Sequence, residues 1–116
     1  MKVWQKAMEL VVACYQAAAT LPSSERFELA PQIRRAATSI PANIAEGHGR
    51  YHTREYIQHV GIAYASLMER ETHIQISERL ALISNERTVE LLERADEIGK
   101  MLSGLKRKLQ QNHPKP

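Results

Sequence analysis

Apolar positions recur along most of the chain at steps of three and four, the spacing that gathers side chains on one face of an α-helix. From about Val3 to Thr20, residues Trp4, Met8, Val11, Tyr15 and Ala18 fall on one stripe, widened by Ala7, Val12 and Ala19. Leu-Pro-Ser-Ser at 21–24 ends it, because Pro22 cannot continue a helix and the serines suit capping the next one. A second helix is expected from about Ser24 to Glu46, with Leu29, Ile33, Ala36, Ala37, Ile40 and Ile44 on its inner face. Pro31 is harmless in a first turn, where the N–H it lacks has no partner anyway. Pro41 is different: it removes the N–H that would bond the Ala37 carbonyl and presses on that carbonyl. The second helix should therefore bend between Thr38 and Pro41, with the hydroxyls of Thr38 and Ser39 helping to satisfy the freed backbone.

Gly47-His48-Gly49 should close this helix, with glycine taking up a left-handed cap. A third helix follows from Thr53 to about Leu82. It carries Tyr56, Val60, Ala63, Leu67 and Ile74 on one stripe and Ile57, Tyr64, Met68 and Ile76 on another, an apolar arc wide enough for two partners, one of which can be another subunit. Ser84-Asn85 caps a fourth helix, about Glu86 to Gln110, where Leu91, Ala95, Ile98, Leu102, Leu105 and Leu109 keep the strict rhythm of a bundle seam. Four amphipathic helices joined by short turns predict an all-α fold. The expected form is an antiparallel up-down-up-down four-helix bundle with a Pro-kinked second helix, in a single domain over 1–110 with a disordered tail at 111–116.

Composition narrows this picture rather than changing it. At 116 residues, 43% hydrophobic and 25% charged, the chain has the make-up of one ordinary globular domain. Gln5, Lys6 and Glu9 interrupt the N-terminal apolar run, so neither a signal peptide nor a membrane span is expected, and the expected location is cytoplasmic. The single cysteine, Cys14, cannot form an internal disulfide and lies among apolar helix positions, where free cysteine acts as a small buried hydrophobe. The net charge of +3, with a pI of about 9.2, permits contact with polyanions without marking a dedicated nucleic-acid binder.

The segments QIRRAATSIPANIAEGHGR at 32–50, WQKAMEL at 4–10, LPSSERFEL at 21–29 and ASLMERET at 65–72 resemble a bacterial family of four-helix bundles. Its founding members are encoded by intervening sequences within 23S ribosomal RNA genes. The resemblance runs in order along nearly the whole chain, and a helical proline followed by Asn-Ile-Ala-Glu-Gly is its most specific part. It implies a left-twisted antiparallel bundle that assembles as a homopentameric ring, with no known catalysis. One departure stands out: where relatives commonly carry a Gly-Tyr type turn between the third and fourth helices, this chain has Leu-Ala-Leu-Ile-Ser-Asn at 80–85.

Three kinds of chemistry are open to these residues. Arg34, Arg35, Asn43 and Glu46 flank the inner face of the second helix, with Glu69 and Glu71 on the third. Arginine forks onto carboxylate, and an unpaired buried charge is costly, so these residues are expected to form a polar cluster that sets helix register. His48, Arg50, His52 and Arg54 surround a glycine turn, and Lys106, Arg107 and Lys108 lie near the C-terminus. Both groups are candidates for phosphate contact, multiplied by repetition around a ring, and Tyr51 beside the first can stack on an exposed base. The competing reading of these groups is solvated surface. A di-iron bundle needs Glu-x-x-His pairs, whereas Glu55 and His59, like Glu69 and His73, stand four apart. No metal ligands, cofactor, small-molecule substrate, membrane contact or nucleophile are therefore assigned. The expected function is a non-enzymatic oligomer associated with RNA; the alternative is a protein-interaction scaffold without nucleic-acid contact.

Overall fold

The computed structural model describes residues 1–111. Its elements are α1 (Lys2–Ala19), a short 3-10 turn (Ser23–Glu25), α2 (Leu29–His48), α3 (Thr53–Arg79) and α4 (Asn85–Gln111). Of the expected tail, 112–116 lies outside the described residues, and Gln111 is the last residue of α4. α1 packs on α2 and α4, and α3 packs on the same two, so α1 and α3 lie on a diagonal. Direction is fixed by cross-helix pairs. Trp4 lies beside Ile44 and His48, Asn43 meets His59 and Ser39 meets Ser66, and Lys6 and Glu9 meet Glu97 and Arg94. Each adjacent pair therefore runs antiparallel, along a body 51 Å long and 23 by 21 Å across.

The inner face of α2 is as expected: Leu29, Ile33, Ala36, Ala37, Ile40 and Ile44 are all buried. So is the α4 seam through Leu91, Ala95, Ile98 and Leu102, with Leu105 and Leu109 packed partly against the core. Each fully buried leucine or isoleucine contributes about 1.5–3 kcal/mol, and this packing rather than intrinsic propensity holds helices of such length together.

In α1 the phase differs from expectation. The core takes Val3, Ala7, Leu10, Cys14, Ala17 and Ala18, while Trp4, Met8, Val12 and Tyr15 are exposed. Both stripes have helical spacing, so periodicity alone does not choose between them. The buried stripe sets the small side chains Ala7, Cys14 and Ala17 around Leu10, and the larger Trp4, Met8 and Tyr15 are turned outward.

Two boundaries also moved. α2 begins at Leu29 rather than Ser24. The serines form the 3-10 turn, and the Leu29 N–H donates to the Glu25 carboxylate at 3.4 Å. At the other end Gly47 lies inside α2 and Gly49 caps it at φ −82, with no left-handed glycine among the described residues. The hydroxyls near Pro41 also act elsewhere than expected: Thr38 donates to the Arg35 carbonyl at 3.1 Å, and Ser39 Oγ accepts from Asn43 and Ser66. Pro41 itself is buried within α2.

The turn from α3 to α4 explains the departure at 80–85. Ala81 holds a left-handed φ of 59. Its N–H donates to the Glu78 carbonyl at 2.9 Å, and the Leu82 N–H donates to the Ser77 carbonyl at 2.8 Å, the paired bonds of a Schellman cap. Ser84 then caps α4 by accepting the Arg87 N–H at 3.1 Å. A Cβ in the left-handed region costs about 1 kcal/mol, so Ala81→Gly is expected to raise stability by up to about 1 kcal/mol. A urea midpoint that falls instead would show that the Ala81 methyl packs usefully.

Candidate nucleic-acid interface

The topology decides which polar residues meet. α2 ends and α3 begins at one end of the bundle, and because α4 runs antiparallel to α3, it finishes there too. A groove lined by Val60, Gly61, Tyr64, Leu102, Ser103 and Lys106 fixes this alignment. The two basic groups of the sequence, His48 to Arg54 and Lys106 to Lys108, are thus brought to one end, and Lys2 opens α1 at the same end. Lys106, Arg107, Lys108, Arg54, His48 and His52 are exposed. The opposite end mixes signs, with Glu25, Arg26, Glu28, Glu78, Arg79, Glu86 and Arg87. The positive pole is therefore local, although the net charge of the chain is small.

Within the turn at 49–52 the basic residues are not equivalent. Arg50 Nη2 donates to Glu46 at 2.6 Å, and its Nη1 lies 3.5 Å from Glu55. Arg50 therefore bridges the end of α2 to the start of α3 and has its charge matched by two carboxylates. It positions the turn, leaving Arg54 and the α4 cations as the groups open to an incoming anion. His48 Nδ1 lies 3.4 Å from the Tyr56 hydroxyl with the rings edge to face; partial burial pushes the Tyr56 phenol above its usual pKa.

Beneath this end, α2 and α3 are joined by a ladder of side-chain hydrogen bonds. His59 Nδ1 donates to Asn43 Oδ1 at 3.0 Å, in the tautomer this partner requires. Asn43 Nδ2 donates to Ser39 at 2.8 Å, and Ser66 donates to Ser39 Oγ at 2.8 Å. The expected ion-pair cluster of Arg34, Arg35, Asn43, Glu46, Glu69 and Glu71 is corrected accordingly. Arg34 leans over the Tyr15 ring, Arg35 and Glu69 are exposed, Glu71 is half-buried, and Glu46 binds Arg50. Among the described residues no ion pair joins α2 to α3. Of the cluster, Asn43 alone hydrogen-bonds across from α2 to α3, and its partner there is His59.

The buried charge is one that periodicity passed over. Arg70 is 0% exposed, on the core face of α3 between Leu67 and Ile74. Its Nη1 donates to Cys14 Sγ at 3.8 Å, while Nε and Nη2, and Nδ1 of nearby His73, have no partner among the described residues. The signal was present in the spacing, since Leu67, Arg70 and Ile74 continue the three-four rhythm, but an arginine in that slot reads as a break in the stripe. Burial pushes the Cys14 thiol up in pKa, outweighing the opposing pull of the Arg70 charge. Cys14 therefore stays a neutral thiol and does not neutralise its neighbour.

Among the described residues no three His, Cys, Asp or Glu side chains converge as a metal-holding group, and no helix is long and apolar enough to cross a membrane. The fold and its polar end define a small all-α four-helix-bundle protein. The chain belongs to the 23S rRNA-intervening sequence protein family, which it matches over residues 1–104. It is also similar to the crystal structure of a protein of unknown function from the S23 ribosomal protein family of Bacteroides thetaiotaomicron VPI-5482. The two are 26% identical, with a TM-score of 0.85 over 90% of this chain and 95% of that one. No curated protein matches the chain significantly, and neither similarity names an enzymatic activity.

Proposed function

We propose that the protein is a non-enzymatic, cytoplasmic ring oligomer whose basic end contacts RNA. The observation that carries this reading is that Arg54 and the exposed Lys106, Arg107 and Lys108 belong to helix ends at one pole of a bundle whose other pole is mixed in sign. Phosphate contacts of this kind need only exposed, mobile cations, and each adds to affinity and to its salt dependence. The family's name, which refers to an intervening sequence of 23S rRNA, and the S23 ribosomal protein family of its structural neighbour favour RNA as the polyanion.

Assembly into a ring, five-membered as the family resemblance implies, is supported by two separate apolar faces. Trp4, Met8 and Tyr15 are exposed on the α1–α2 side, and Tyr64 and Met68 on the α3–α4 side. Two different faces on opposite sides of one subunit suit a head-to-tail contact, which closes into a ring when the rotation from one subunit to the next closes. A bend of α2 at Pro41 belongs to the same reading, because it lets that helix wrap its neighbours. A protein-interaction scaffold without nucleic acid is the competing reading, favoured by those same apolar faces.

The test is a titration of fluorescent structured RNA at several salt concentrations. Wild type is expected to bind at micromolar concentration or tighter, with affinity falling steeply as salt rises. An Arg54→Ala/Lys106→Ala/Lys108→Ala variant should bind at least tenfold more weakly with a shallower salt slope. Arg50→Ala should change affinity much less. Absence of binding at low salt would leave the scaffold reading in its place.

A further inference from the structure

The basic pole presents one side chain that charge does not explain. Tyr51 is 96% exposed, the most solvent-exposed large hydrophobic side chain among the described residues. It sits at the tip of the short turn between α2 and α3, in the middle of the cationic group. Among the described residues its one aromatic neighbour is His52, edge to face at 5.4 Å between centroids and 78° between planes. The turn carrying it is held on both sides. Arg50 ties it to Glu46 on α2 and Glu55 on α3, the Gly49 N–H donates to the Ala45 carbonyl, and the Arg50 N–H donates to the Gly47 carbonyl. An aromatic ring displayed on a fixed turn, with its surface in water and cations beside it, is arranged to receive a flat partner without first being ordered.

Resting on the RNA reading above, we propose that the partner of this pole is unpaired RNA, with a base stacked on Tyr51 while Arg54 and the α4 cations hold the flanking phosphates. The chemistry separates unpaired from paired RNA. In a duplex both faces of each base are already covered by neighbouring pairs, and the deep, narrow major groove admits no side chain, so a duplex offers this pole only phosphates and sugars. An unpaired nucleotide offers the same phosphates and a free π-face as well. Stacking of that kind tolerates any base, so the pole would choose by strandedness rather than sequence. A ring of subunits would repeat the platform and strengthen binding to a strand long enough to reach two of them.

The experiment compares a labelled single-stranded RNA of mixed sequence with a duplex of the same length, by fluorescence anisotropy at one moderate salt concentration. Wild type is expected to favour the single strand about tenfold, the effect of one aromatic stack. Tyr51→Ala should lose about that factor on the single strand and leave duplex binding unchanged, whereas Tyr51→Phe keeps the ring and the preference. Arg54→Ala/Lys108→Ala should weaken both ligands together. Tyr51 packs on no core residue, so these variants fold as wild type does. Equal binding of both RNAs, or a Tyr51→Ala variant as tight as wild type on the single strand, overturns the stacking platform while leaving phosphate contact intact. Failure of wild type to bind either RNA at low salt overturns both.

Discussion

Arg70→Met should raise the stability of the bundle by about 1–4 kcal/mol, taking as a guide the range seen when buried ion pairs give way to well-packed apolar side chains of similar volume. Arg70 is wholly enclosed, and its single polar contact is the Cys14 thiol at 3.8 Å, a weak acceptor. Among the described residues two of its nitrogens have no partner, and no carboxylate pairs with it. A guanidinium in that setting has given up its hydration for little in return. Methionine keeps the unbranched stem that packs beside Leu67 and Ile74 and removes only the charge. Urea unfolding at fixed protein concentration reads the effect as a higher midpoint at unchanged slope. A midpoint that drops would mean that the guanidinium is better bonded in solution than the contacts here imply. Arg70→Ala adds a cavity and should be less stable than Arg70→Met. The neighbouring thiol supplies a pH test. Burial raises the Cys14 pKa, so the folded state holds its proton more tightly than the unfolded chain. Stability should therefore be constant below the ordinary thiol pKa and fall as pH rises above it; Cys14→Ala should remove that fall.

Gly47→Ala should lower stability by about 1–3 kcal/mol, the usual cost of overpacking, although alanine favours a helix over glycine by about 1 kcal/mol. A Cβ at Gly47 would stand 2.8 Å from His59 Cβ, 3.1 Å from Tyr56 Cδ1 and 3.3 Å from the Tyr56 carbonyl oxygen. None of these is the free end of a flexible side chain, so α2 and α3 must separate where they are closest. The same movement would stretch the bond from His59 to Asn43 and shift the Arg50 bridge. Like Arg50→Ala, the variant should change stability far more than RNA affinity, in contrast to the surface cation variants, which change affinity alone. Gly49→Ala is the control: its Cβ would meet the Ala45 and Glu46 carbonyls at 3.7 Å on a backbone already in the right-handed region. That variant should be neutral or up to about 1 kcal/mol more stable. Equal melting of the Gly47→Ala variant and wild type would show that the helices do not need this approach.

The sequence by itself determined the helices and their order. The α2 and α4 stripes were legible because one face of each helix is strongly apolar and the other polar, so only one phase buries them. It also determined family membership, through a motif whose proline and glycine are unusual inside a helix. Tertiary structure decided matters that periodicity leaves degenerate. In α1, with apolar residues on several sides, packing against α2 and α4 buried the stripe through Ala7, Leu10, Cys14 and Ala17 and left Trp4, Met8 and Tyr15 outside. Gly47 looked like a cap and proved to be a contact point, since only the distance between two helices reveals that a Cβ has no room. Charge placement was the least legible of all. Arg34, Arg35 and Arg70 are the same residue type, and whether each faces a ring, water or the core depends on helix phase and on what stands opposite. The basic pole was half legible: its residues were evident in sequence, but the antiparallel return of α4 brings Lys106, Arg107 and Lys108 to the same end as Arg54. Arg50 was withdrawn from that pole only by Glu46 and Glu55, partners that local spacing suggests and three-dimensional geometry fixes.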